Sequence, residues 1–106
     1  HNLAQNQAGQ PADVIAVRDG KSYLIDCKVC SRGRFPFSRI EDNQHTAMRA
    51  WQESGNGTGW FALKCEGYIF MLDYDTLKRL SKTQSSISFR DMCFYGRVLE
   101  AWVVFA

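Results

Sequence analysis

An α+β fold, a mixed sheet with helices packed on it, is what this 106-residue chain predicts. Three features carry that prediction. Two strand-like segments alternate around Asp19-Gly20, a helical stretch runs from Glu41 to Ser54, and two more strand-like segments flank Glu66-Gly67. With 45% hydrophobic residues, residues 1–106 read as a single domain. A chain of this size buries roughly 60–70% of its unfolded surface without staples.

The elements follow in order. Residues 1–10, "HNLAQNQAGQ", are polar and carry no carboxylate, and they read as loosely ordered or as the end of a helix cut short. Asp13–Arg18 and Lys21–Val29 then form a hairpin, since Asp-Gly is a favoured two-residue hairpin loop. In that register Arg18 faces Lys21, and Asp13 stands opposite Asp26. Like charges directly opposite repel, so the pair calls for a cation between them or a proton on one of them. Period-two alternation sets Lys28 beside Asp26 and turns Cys27 to the other face. A solvated sheet face with scattered charges is the competing reading. Against it, Ile15, Val17 and Leu24 share that face, so the charges would rim a partly apolar surface.

The stretch 30–40, "CSRGRFPFSRI", is basic, with Arg32, Arg34 and Arg39 and no acid between Asp26 and Glu41. Gly33 and Pro36 make it a loop or protruding arm. The helix 41–54 follows, with an inward stripe of Ala47, Ala50, Trp51 and Ser54, Met48 beside it and Gln44 on the same face. Gln44 then needs hydrogen-bond partners, as a cap residue or as a group reaching into a site. His45 lies off that stripe and reads as a surface or arm-contacting residue, or as a group that binds phosphate or assists proton transfer. Strands 59–65 and 67–72 come next, then a short helix through Leu80 capped by Asp73 or Asp75. "SKTQSSIS" is a polar connection, and "RVLEAWVVFA" reads as a last strand whose apolar end another element or chain covers.

Net charge is only +2, so any case for nucleic acid rests on where the charge sits. The longest apolar runs are far shorter than a membrane span, and no membrane partner is expected. Cys27-x-x-Cys30 has half of a zinc-site spacing, but Cys65 and Cys93 are not spaced as a second ligand pair. Free thiols in a reducing cytoplasm are the expected state. The sequence contains neither a Gly-rich phosphate loop nor a nucleophile elbow.

Asp13, then Asp26-Cys27-Lys28, then Gln44 at a helix start resembles the PD-(D/E)xK nuclease core. With the "RGRFPF" arm and the strands "GWFALKC" and "GYIFMLDY", the stretch from Pro11 to Leu80 looks most like the RecU-type Holliday junction resolvases. Two departures stand out: Pro11 replaces a frequent hydroxyl residue, and nothing before Asp13 is acidic. The resemblance implies a restriction-endonuclease-like core, a mixed sheet flanked by helices. It also implies a Mg²⁺-dependent (or Mn²⁺-dependent) endonuclease that resolves four-way junctions. Other nucleases of the superfamily acting on flaps or ends, and a catalytically weak DNA-binding relative, are the alternatives. By the same resemblance Asp13, Asp26 and the Cys27 carbonyl hold the metal, Lys28 orients or deprotonates the water, and Gln44 positions it. DNA contacts fall to Arg32, Arg34, Arg39 and His45, with Phe35 and Phe37 either stacking at the junction or anchoring the arm to the core. Two paired cuts imply a two-fold homodimer. The expected setting is cytoplasmic, in a bacterium or as a phage protein in its host.

Overall fold

The computed structural model describes residues 13–105, with the Asp13 side chain and the polar segment 1–10 outside that description. Strand β1 (Asp13–Arg18) and strand β2 (Lys21–Val29) form the expected hairpin. Asp19 and Gly20 both take positive φ, 51° and 78°, the mirror-image turn whose twist suits a hairpin. The register is the one the turn dictates: Arg18 pairs with Lys21 and Asp13 with Asp26.

Strand β3 (Arg34–Pro36) leads through a 3-10 turn (Phe37–Arg39) into helix α1 (Asp42–Glu53). Strands β4 (Trp60–Cys65) and β5 (Tyr68–Asp73) follow, joined by Glu66-Gly67. Helix α2 (Tyr74–Leu80) is capped by Asp73, whose carboxylate accepts from the Thr76 N–H at 3.0 Å and its hydroxyl at 2.7 Å. The chain closes with β6 (Ser86–Ser88), α3 (Phe89–Tyr95), β7 (Arg97–Val98) and α4 (Leu99–Phe105).

The main sheet has the order β1-β2-β4-β5-β7, and β3 pairs with β6 in a separate ribbon. β2 and β4 run parallel and the other pairs are antiparallel, so the sheet is mixed. A parallel neighbour requires a crossover, and the connection that runs through α1 is that crossover.

Its two faces carry two apolar layers. Phe61, Leu63, Phe70 and Leu72 pack with Met48 of α1 and Tyr74 and Leu77 of α2 on the front. Ile25, Ala62 and Met71 pack with Trp102 of α4 on the back. There Trp102 meets Trp60 and Tyr23 edge to face, with centroids 5.3 and 5.4 Å apart. No helix of the described residues is long and apolar enough to cross a membrane.

Four expectations are corrected. The arm is not an open loop: Arg32-Gly33 makes a tight turn that bridges Ser31 to Arg34, and β3 continues it into the ribbon with β6. The stretch 81–88 is accordingly not all connection, because Ser86–Ser88 supplies the partner strand. "RVLEAWVVFA" pairs for only two residues and then turns helical, which lays Trp102 over the back face. Finally, α1 buries Gln44 and Met48, while Ala47, Ala50 and Ser54 are exposed. The helix is rolled so that Met48 lies over Gly59, where a Cβ would fall 2.2 Å from its sulfur.

Candidate functional site on strand β2

Strand β2 points Leu24, Asp26 and Lys28 to the front face, in line with Phe61 and Leu63 of β4. Asp26 is 1% exposed and Lys28 is 4% exposed. Lys28 Nζ lies 3.8 Å from Asp26 Oδ1, the distance of an ion pair rather than of a short hydrogen bond. Taking a carboxylate and an ammonium out of water costs several kcal/mol for each ion, and their mutual attraction offsets part of that. The cation beside Asp26 is thus supplied at least in part by its own strand. The Asp13 backbone stands directly across from Asp26, and its side chain lies outside the described residues. Cys27 faces the back layer, whereas Cys30 packs against the front core.

Gln44 is buried at the first turn of α1, and its Oε1 accepts the Glu41 N–H at 2.9 Å. A capping box explains both the burial of this amide and the start of the helix after Glu41. Half of the Gln44 side chain is therefore occupied in the cap.

The arm residues divide into two groups. Phe35 is 0% exposed and Phe37 9%, both within the front core. Of the two roles open to these rings, this fold has the anchoring one, since a buried ring has no face to offer a base. Arg34 Nη1 donates to Ser86 Oγ at 2.7 Å. Arg39 donates to the Val29 carbonyl and lies over the Phe35 ring, 5.4 Å from its centroid. Arg32, Arg34 and Arg39 nevertheless remain exposed, and a guanidinium has five donors in all.

His45 is half-buried. Its Nδ1 is hydrogen-bonded to the Tyr74 hydroxyl at 2.7 Å, across from α1 to α2. Burial, then the positive Arg49, holds its pKa below the usual imidazole value, with Lys78 adding to the depression and Asp42 opposing it. Arg49, Lys78 and Tyr74 had no place in the sequence reading. The four-residue spacing of His45 and Arg49 puts them on one helix face, but Lys78 joins them only through the packing of α2.

The cysteines are all free thiols among the described residues. Burial foremost, with Cys65 beside it, pushes Cys30 up to about 12, and burial likewise raises Cys65. Metal-binding thiolates are disfavoured there. Among the described residues no three His, Cys, Asp or Glu side chains converge as a metal site. No protein-family model matches the chain, and no curated protein is detectably similar to it.

Proposed function

We propose that the protein is a metal-dependent DNA endonuclease of the PD-(D/E)xK type, acting as a dimer on branched DNA such as Holliday junctions. The observation that carries this reading is the Asp26–Lys28 pair: two opposite charges 3.8 Å apart, nearly sealed under an apolar layer, on the strand whose register sets Asp13 across from Asp26. Burial of charge at this cost is frequent where charge does chemistry, although structural ion pairs also produce it. The motif order supports the same reading, since β1, β2, α1 and the parallel β4 present Asp, Asp-x-Lys and Gln in sequence.

The donors that would hold the metal are the carboxylates of Asp13 and Asp26 and the Cys27 carbonyl, an all-oxygen set that fits Mg²⁺ or Mn²⁺. When bound, such an ion acidifies a coordinated water and draws charge from the phosphodiester. The chain's own residues do the rest. Lys28 offers N–H donors to the attacking water or to a phosphate oxygen as negative charge grows. Gln44 has its amide nitrogen to orient that water, its oxygen being held by the Glu41 N–H. The exposed arm arginines hold the backbone through sequence-independent phosphate contacts.

Cleavage of a four-way junction, a flap and a linear duplex in Mg²⁺, by the wild type and by Asp26→Asn, tests the proposal. The expected outcome is metal-dependent cutting by the wild type, with preference for the junction, and none by Asp26→Asn. A variant that cuts as fast as the wild type removes Asp26 from catalysis. A protein that binds junctions equally well in chelator and never cuts is a DNA-binding module on the same scaffold.

A further inference from the structure

A ridge runs beside the site where α1 meets α2. His45 and Arg49 are one turn apart on α1, and Tyr74 and Lys78 are one turn apart on α2. The buried Tyr74 ring is the keystone: its hydroxyl bonds His45 at 2.7 Å, and Lys78 Nζ stands over its face, 5.9 Å from the centroid. Burial raises the pKa of that hydroxyl, and Arg49, near enough to hydrogen-bond it, opposes the rise. Both Arg49 and Lys78 are exposed, and neither has a carboxylate within ion-pair distance among the described residues. The acids nearby are Asp42 on the first turn of α1, Glu53 one turn beyond Arg49, and Asp75. Asp75 accepts from Gln52 at 3.2 Å and lies close enough to Tyr74 to act on its hydroxyl. Folding has drawn His45 and Arg49 to the hydroxyl of one tyrosine and Lys78 over its ring, with neither full cation in an ion pair among the described residues. Their mutual repulsion is relieved by an anion.

We propose that His45, Arg49 and Lys78 form a seat for a backbone phosphate of bound DNA, one residue along the helix from Gln44. This rests on the DNA-nuclease reading above for the identity of the ligand, and adds Arg49 and Lys78, which that reading does not contain, to His45, which it does. Arg49 would grip the phosphate through paired N–H donors and Lys78 as a point charge. Tyr74, buried and bonded to His45, fixes the spacing between the two helices.

The test measures junction and duplex binding by fluorescence anisotropy in EDTA, across a salt series, so that cutting does not enter. The variants are Arg49→Ala/Lys78→Ala, the charge-keeping Arg49→Lys, and a control pair, Arg90→Ala/Arg97→Ala, on the C-terminal elements. A lost phosphate contact weakens binding uniformly across sequences and reduces the salt slope by about 1. The ridge double variant is expected to show that flattening at an unchanged melting temperature, Arg49→Lys to keep the wild-type slope, and the control pair to leave it alone. A slope unchanged in the ridge variant, or flattened equally by the control pair, overturns the seat. The cleavage assay with Asp26→Asn separates this from the wider reading. If that variant still cuts while the ridge variant flattens the slope, the catalytic assignment falls and the seat stands. Wild-type protein that binds no DNA at any salt removes both.

Discussion

The two faces of strand β2 are built from alternate residues of one segment and end in opposite environments. Leu24, Asp26 and Lys28 look toward the front core, where two charges are almost wholly buried. Tyr23, Ile25 and Cys27 look toward α4, where an aromatic layer stays partly open. A pocket of about 320 Å³ remains there, walled by Tyr23, Trp60, Tyr95, Trp102 and Phe105. Polar groups are thus sealed on one face and apolar groups left accessible on the other, the reverse of what hydrophobicity alone favours. Depth of burial is set by what lies on top of a strand. Three helices, α1, α2 and α3, pack side chains on the front, whereas a single seven-residue helix covers the back.

The largest effect should come from breaking the charge pair. Lys28→Met strands the Asp26 carboxylate and should cost about 3–5 kcal/mol, whereas adding Asp26→Leu to it should recover most of the loss. Chemical denaturation of the two singles and the double gives the cycle. A double variant no more stable than the singles would mean that the front face tolerates the charges independently of each other. On the back face Trp102→Ala should cost about 3 kcal/mol, the lower end for such a truncation, because the neighbouring pocket already loosens the packing. A loss beyond 5 kcal/mol would show the back layer to be as tightly held as the front.

The smallest effect concerns His45. Its pKa is lowered in the folded chain, so between that lowered value and the ordinary 6.5 the unfolded chain holds more protons. Stability therefore rises with pH through that window, and is lost as pH falls through 6.5 toward the folded value. His45→Gln should flatten the dependence of melting temperature on pH over this range. A profile identical to that of the wild type would assign the acid sensitivity elsewhere.

The residues that could be read in advance are those whose signal is local. Asp19-Gly20 dictates a mirror-image turn, and the turn alone puts Asp13 across from Asp26. Glu66-Gly67 does the same for β4 and β5, and Asp73 announces α2 through its cap. Other positions depended on distant partners. Phe35 and Phe37 read as anchors of the arm or as wedges at a junction until β6 paired with β3 and closed over them. Ala47 and Ala50 share a stripe with Trp51, yet Met48 wins the inward position because Gly59 leaves room for its sulfur. The last ten residues are rich in β-branched and aromatic side chains, which favour a strand. Among the described residues only Arg97 and Val98 find a neighbour in β5, and Leu99–Phe105 coil so that Trp102 can reach Trp60 and Tyr23.

By itself, then, the order of amino acids determined the hairpin, its register, the alternation that couples Asp26 with Lys28, and the mixed α+β plan. Each depends on contacts between residues close in the chain, or on a period of two that no distant partner alters. Tertiary structure alone decided how deeply the charges are sealed, that the arm rings point inward, and that Lys78 comes to stand with His45 and Arg49. Those outcomes depend on which helix lies over which strand, a choice settled by the shape of the assembled core rather than by any single stretch of chain.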